Sequence, residues 1–470
     1  MIRRMILPTT RLVRVECLRV HRQCLVSLEP TTFRPTRRWL ATSNSAARNN
    51  DRKQQQQQQQ QQVTSKISVE SDAVVVTDRI QCNTLIDTWM KRDEPPERAE
   101  DLLETMRTMA RQKEDVNLLP NVDSYNLVLR AWAKSKDPVA AERAEAILQT
   151  MLDMDSSGFP NVAPDILTYT TALYCVAKTK TRKAAGRAKE ILDGMLHHVI
   201  AGDEDLMPTT LTFNIVINAF AKCRNRESAM IAEAIFAQMK SLDVQPNTQS
   251  FISLISAWTS SRDPQAVTKA EDYLSEMIQL YENGEKTCKP DIVVFTAVIH
   301  AISMSKDPKA AERVRAILNE MTRLESVGLL HGCRPNVIMY NSLLNLLAKR
   351  KTKDRSVVTR KVITEMDERF LLPNISSYDF VILSCAFSNN YDLETREAAF
   401  KIALEMVQRA CRKTTPTVQT FFYFFRAAAG LGHDNEVQLV YKLCRQAGVE
   451  QDPLIVRELK ESAPHLVDKF

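Results

Sequence analysis

Apolar positions recur with helical spacing along most of this chain. Tyr125, Val128, Leu129 and Trp132, like Phe213, Val216, Ile217 and Phe220, fall at i, i+3, i+4 and i+7, which places one buried stripe on each predicted helix. A second helix follows with the same spacing, as in Ala144, Ile147, Leu148 and Met151, or Val314, Ile317, Leu318 and Met321. Between the two, Lys-Asp-Pro at Lys136, Arg-Asp-Pro at Arg262 and Lys-Asp-Pro at Lys306 supply an acid that can cap and a proline suited to a first helical turn. Residues 123–165 show the whole grammar: a helix, a break at Lys136-Asp137-Pro138, a second helix ending near Met151, and a loop closed by Pro164-Asp165.

The period is measurable on the aromatic of each first helix. Tyr125, Tyr169, Phe213, Phe251, Phe295, Tyr340, Tyr378 and Phe421 are separated by 44, 44, 38, 44, 45, 38 and 43 residues, and Cys82 stands in the same place 43 residues before Tyr125. The distance from aromatic to the methionine that ends the second helix is 26 in six consecutive units, whereas the loop from methionine to proline ranges from 7 to 14 residues. Helix pairs are thus constant and loops are not. A pair of amphipathic helices cannot bury both faces alone, so the units are expected to stack: an all-α, right-handed α-solenoid superhelix of about nine helix-turn-helix repeats.

Composition and charge divide the chain further. Residues 1–48 are arginine-rich and poor in acids, the pattern of a mitochondrial presequence, with a plastid address as the alternative. Residues 49–71 hold nine consecutive glutamines and read as a disordered spacer. Residues 72–452 are expected to form the repeat array and residues 453–470 a capping helix, with Leu454, Val456 and Leu459 covering the last repeat. The formal charge of +6 comes from the leader: residues 1–53 carry 12 basic and 3 acidic residues, leaving 51 − 54 = −3 for the rest. No apolar run of about 18 residues exists to span a membrane. The ten cysteines show no C-x-x-C pair, which argues against structural zinc, and Cys175, Cys223 and Cys385 read as small core residues.

Starts such as "CNTLIDTW" at Cys82, "TFNIVINAFAK" at Thr212 and "MYNSLLNLLAK" at Met339, a methionine ending the second helix, and a proline followed by Asp or Asn resemble pentatricopeptide repeats over about residues 79–450. The chain departs from the family's usual unit by about three extra residues in the helix pair and, in most units, a longer loop before the proline. The resemblance implies single-stranded organellar RNA as partner, one base per repeat. It implies base reading by the residue after each aromatic together with the residue after the proline that closes the same unit. Physically, U and G present an imino N–H that an Asp can accept, whereas C and A present a ring-nitrogen lone pair that an Asn amide can meet. By the family's preference, Thr after the aromatic goes with purines and Asn with pyrimidines.

Read in this way, Asn83 with Asn121 implies a pyrimidine, Asn126 with Asp165 U, Thr170 with Thr209 a purine, Asn214 with Asn247 a pyrimidine, Thr296 with Asn336 A, and Asn341 with Asn374 a pyrimidine. Helix capping is the competing account of these residues, because Asn and Thr favour helix starts and Asn or Asp after proline favours turns. Against it, the family's base clamp, an apolar residue two positions before the aromatic, is present as Ile80, Leu167, Leu211, Val293 and Ile338. Its phosphate-contacting lysine, nine positions after the aromatic, is present as Lys91, Lys134, Lys178, Lys222 and Lys349. Asp123 replaces the clamp in the second unit and Met304 the lysine in the sixth, while the fifth, eighth and ninth units lack all of these features. The expectation is six reading units, one spacer, and two structural units.

Catalytic and cofactor signatures are missing from the sequence. There is no H-x-E followed by C-x-x-C, no G-x-x-x-x-G-K-[ST] and no G-x-G-x-x-G, and the His197-His198 pair is assigned no metal. The expectation is a non-enzymatic RNA-binding factor of mitochondria without cofactor or metal, acting in stability, processing or translation of an organellar transcript. RNA-processing or ribosomal proteins are a further class of partner. The alternative is a helical-repeat protein scaffold, such as a subunit of a mitoribosome-associated or other complex.

Overall fold

A computed structural model describes residues 78–113, 115–330 and 332–462. The presequence and glutamine spacer expected over residues 1–48 and 49–71, and residues 463–470 of the expected capping segment, lie outside the described residues. The described residues form nineteen α-helices and four short 3-10 turns, with no strand among them. They fall into two compact units, divided between Asp263 and Pro264.

The first unit holds α1 (Arg79–Lys91), α2 (Pro96–Lys113), α3 (Val122–Lys134), α4 (Ala140–Ser156), α5 (Ile166–Lys178), α6 (Arg182–Ala201), α7 (Thr210–Ala221), α8 (Arg226–Ser241) and α9 (Thr248–Ser261). The second holds α10 (Ala266–Glu282), α11 (Ile292–Met304), α12 (Ala310–Ser326), α13 (Val337–Ala348), α14 (Arg355–Glu368), α15 (Ile375–Ala386), α16 (Leu393–Lys413), α17 (Val418–Ala428), α18 (Asp434–Gln446) and α19 (Pro453–Ser462). Within each unit the odd-numbered helices pack in succession, α1 on α3 through to α9 and α11 on α13 through to α19, and the even-numbered helices α2 to α8 and α12 to α16 pack against the odd ones on either side. Each unit is therefore a stack of helical hairpins, an α-solenoid.

The constant spacing of 26 residues has a packing cause. Tyr125, Tyr169, Phe213, Phe251, Phe295 and Tyr340 are buried, and the methionines 26 residues later, Met151, Met195, Met239, Met277, Met321 and Met366, are all completely buried. Aromatic and methionine belong to one core layer, so a residue added between them would turn one of the two out of it. Length varies only where the core permits. The long loops before α3, α7 and α11 coil into 3-10 turns (Val116–Leu118, Glu204–Leu206 and Lys286–Cys288), each tucking one residue, Leu118, Leu206 or Cys288, against the hairpin before it. At the end of α6, Gly202 takes the left-handed conformation (φ +117°) and donates to the carbonyls of His198 and Val199, closing the helix.

Two expectations are corrected in detail. Pro138 and Pro308 precede their helices instead of sitting in the first turn: Asp137 and Asp307 accept the N–H of Val139 and Lys309 (2.9 and 2.8 Å), forming a turn ahead of Ala140 and Ala310. Helix α19 packs on α17 through Ile455 and Leu459, while Leu454 is exposed and Val456 only half-buried, because residues 455 and 459 lie one turn apart on the inward face. Among the described residues all cysteines are free; Cys175 and Cys385 are buried, and Cys223, just beyond α7, is half-buried. No helix among the described residues is long and apolar enough to cross a membrane, and no group of three or more His, Cys, Asp or Glu residues is placed to hold a metal ion.

Phe213 tests the core layer. Phe213→Ala should destabilise the chain by about 3–5 kcal/mol, read as a lowered urea midpoint, whereas Leu454→Ala on the exposed side of α19 should leave the midpoint within about 0.5 kcal/mol of the parent.

Candidate nucleic-acid interface

Every residue that follows a closing proline starts the next first helix. Asn121, Asp165, Thr209, Asn247, Asn336 and Asn374 are the N-caps of α3, α5, α7, α9, α13 and α15, each accepting the N–H three residues on. In five of these the third residue is Ser or Thr, whose hydroxyl accepts the cap's own N–H and completes a capping box. The capping account of these residues is therefore correct as far as it goes. It does not exhaust them, because several caps also hold the reader of the preceding repeat.

In the second repeat Asn126, only 4% exposed, donates from Nδ2 to both oxygens of Asp165 (3.1 and 3.3 Å). In the fourth, Asn214 donates to Oδ1 of Asn247 (3.1 Å), and in the seventh Asn341 donates to Oδ1 of Asn374 (3.1 Å). The cap Oδ1 thus takes both the helix N–H and the reader's amide, which leaves the second Asp165 oxygen with only the longer Asn126 contact (3.3 Å). The third repeat is joined less directly: Thr170 and Thr209 both meet the hydroxyl of Thr212, at 3.3 and 3.0 Å.

Two expected pairs are not brought together by a hydrogen bond. Asn121 gives its amide to Asp123 (3.1 Å), the acid standing where a clamp is expected, and the Oδ1 of Asn83 is buried without a partner. Thr296 turns its hydroxyl back to the carbonyl of Ile292 (2.6 Å), away from Asn336.

The five expected clamps are all solvent-exposed, between 49% and 74%, although they sit two residues before fully buried aromatics or, for Ile80, before Cys82. In the first unit, Leu167 and Leu211 flank a cleft of roughly 640 Å³ that is also lined by Asp165, Thr170 and Thr209, so clamps and polar readers share one wall-to-wall space. Asp203 and Asp205, from the loop that carries the 3-10 turn, also line it.

The lysines have a structural partner that the sequence did not disclose. Lys134 donates to the carbonyl of Met90 (2.9 Å), Lys178 to those of Ala133 (3.2 Å) and Ser135, and Lys222 to that of Ala177 (3.4 Å). Each ammonium thus caps the C-terminal end of the preceding first helix, where the unpaired carbonyls attract cations. Ser260, which replaces the lysine in the fifth repeat, does the same for Ala221 (3.1 Å). Burial, with a contribution from Lys180, pulls the Lys222 ammonium below its ordinary value. Lys91 pairs with Asp87 (2.6 Å), and Lys349 is exposed at the end of α13.

The sequence model of the pentatricopeptide repeat domain matches residues 203–261, 280–350 and 317–387, regions that contain the Asn214, Thr296 and Asn341 readers. Over these residues the chain carries pentatricopeptide repeats. No curated protein sequence matches it significantly. Among solved structures it is similar to the pentatricopeptide repeat protein PPR10 from maize, at 19% identity and a TM-score of 0.35, over 83% of this chain and 56% of that one. It is also similar to PPR10 in complex with an 18-nucleotide psaJ RNA element, at 16% identity and a TM-score of 0.30, over 86% of this chain and 70% of that one. The chain thus spans little more than half the length of the maize protein.

One repeat of the array departs from the reader pattern in a way that charge makes visible. Asp379, at the reader position of the eighth repeat, is 8% exposed and accepts the Thr420 hydroxyl at 2.6 Å. Burial, only partly offset by hydrogen bonds from Thr420 and Thr417, pushes its carboxyl up to about 6. A carboxyl that ionises less readily in the fold than in the unfolded chain favours the fold at low pH. Its contribution is complete below about pH 4 and lost as pH rises through about 6. The stability gained by Asp379→Asn should therefore grow across that window, to on the order of 2–3 kcal/mol at pH 7.5, measured as the difference in unfolding free energy between variant and parent at pH 4 and pH 7.5.

Proposed function

We propose that this repeat protein binds single-stranded RNA along its first helices, one base per repeat, and acts in mitochondria on the stability, processing or translation of an organellar transcript. The observation that carries the reading is the cleft lined by two exposed aliphatic side chains, Leu167 and Leu211, together with the polar Asp165, Thr170 and Thr209. A base inserted there covers apolar surface on both faces and presents its Watson–Crick edge to capped polar groups. The second Asp165 oxygen, which takes only the longer Asn126 contact (3.3 Å), keeps a lone pair suited to the N3–H of uracil, and the Asn374 amide is a donor suited to N3 of cytosine. Because the chain beyond residue 53 carries a net −3, base contacts must supply a larger share of affinity than counterion release does. The arginine-rich leader supports the mitochondrial address.

No chemical step is assigned. The thiols of Cys175 and Cys385 are pushed by burial up to about 12, which keeps them protonated, and the chain acts by occupying RNA or recruiting others to it.

Selection from randomised single-stranded RNA tests the reading. The expected 5′ to 3′ preference is pyrimidine-U-purine-pyrimidine-any-A-pyrimidine, and enrichment without A at the sixth site would overturn the register. Asn126→Thr should move the second site from U toward G, because the Asp165 acceptor stays while a purine-type residue is installed. Lys349→Ala should weaken all sequences alike and lower the salt slope by about 1, measured by titration at several ionic strengths. Crosslinking in the organelle separates the two function classes: discrete RNA footprints support this reading, and RNA-independent co-purification with a fixed set of proteins supports a scaffold.

A further inference from the structure

The residue immediately before each first-helix aromatic is Ser124, Thr168, Thr212, Ser250, Ser377 or Thr420 in six of the nine repeats, and each of these hydroxyls is completely buried. A capping box accounts for a hydroxyl there, and Thr168 and Ser377 lie 2.8 and 3.0 Å from Oδ1 of their own caps, but the shorter contact of each is to another repeat. Thr168 Oγ1 lies 2.7 Å from Oδ1 of Asn126, and Ser377 Oγ lies 2.6 Å from Oδ1 of Asn341, in each case the reader of the repeat before. Thr420 makes the same link to Asp379 at 2.6 Å.

The two threonine readers provide a contrast within one molecule. Thr170 faces a following helix with a hydroxyl at this place, Thr212, and its own hydroxyl points forward to it at 3.3 Å. Thr296 faces a following helix with Met339 there, and its hydroxyl points back to the carbonyl of Ile292 at 2.6 Å. For these two threonines, the hydroxyl of the next repeat goes with a reader that joins the cap network, and its absence with one that folds onto its own helix. Ser124 and Ser250 make no such link, and the Oδ1 atoms of Asn83 and Asn214 are buried without a partner. A reader held at one end by the cap and at the other by a hydroxyl has one orientation, and a side chain amide without the second hold has two of nearly equal shape.

We propose that where this buried hydroxyl meets a reader it is a positioning residue for base selection: it belongs to the repeat that follows, yet fixes the reader of the repeat before, so that the bases at the second, third and seventh sites are each specified by three side chains. The proposal rests on the RNA-binding reading above. It assigns Thr168 to the site of Asn126 and Asp165 and Ser377 to the site of Asn341 and Asn374. It also gives the sixth site, where Met339 supplies no hydroxyl, weaker discrimination than the third.

The test is base discrimination by the full chain, measured site by site with matched single-stranded RNAs differing at one position. Ser377→Ala should lower discrimination at the seventh site by roughly 2- to 10-fold, the effect of one hydrogen bond, with discrimination at the other sites unchanged and Ser377→Thr restoring it. Thr168→Val, which keeps the side chain's shape, should do the same at the second site. Met339→Thr should raise purine discrimination at the sixth. Unchanged discrimination at the seventh site in Ser377→Ala and at the second in Thr168→Val, with RNA still bound, overturns the proposal and leaves the RNA reading standing. Absence of RNA binding by the parent chain overturns both.

Discussion

The structure depends on one recurring constraint: the residue after each closing proline must satisfy the N–H groups at the start of the next first helix. Four such groups lack partners at any helix start, and a side-chain cap is worth on the order of 1 kcal/mol. Here the cap does more than begin a helix. Asp165, Asn247 and Asn374 each accept from an amide one repeat earlier, so the same oxygen starts one helix and fixes a side chain on the previous one. The buried layer of aromatic and methionine sets how far apart successive caps can stand, and the loops absorb what is left over.

Lysine and serine at the other end of the first helices complete a matching arrangement. Lys134, Lys178, Lys222 and Ser260 reach the carbonyls left open at the end of the preceding first helix, so consecutive repeats are tied at both helix ends by polar contacts. Between even-numbered helices, ion pairs such as Arg143–Glu100 and Arg187–Glu145 run across the opposite face at 3.6 and 3.0 Å. Exposed pairs of this kind add little to stability individually. Their repetition between neighbours favours one register of stacking over a slipped one.

Most of the fold was legible because it is periodic. The Tyr125-to-Met151 spacing and its five repetitions predict the core layer, and that layer is what the structure shows. Leu211 and Ile338 were singled out by the family resemblance, and the structure leaves both exposed beside the buried Phe213 and Tyr340. What escaped the sequence was tertiary. The carbonyl that Lys178 finds belongs to a residue 45 positions earlier, and nothing local in the sequence announces it. Asp123 was visible as a missing clamp, but its capture of the Asn121 amide depends on the turn into α3. The hydroxyl residue before the aromatic in six of the nine repeats stands in the sequence as Ser or Thr, but where it has a second partner, as Thr168 and Ser377 do, that partner lies in another repeat.

The cap position also bears on how such an array changes its target over generations. Asn, Asp and Ser begin helices almost equally well, with Thr close behind. Exchanging one for another at Asn374 or Asp165 costs the fold little, yet it replaces a donor by an acceptor at the cap's second side-chain atom. On the proposed reading, recognition can therefore drift along a nearly flat stability surface, repeat by repeat, while the buried aromatics and methionines stay fixed. Retargeting then requires no compensating mutation in the core.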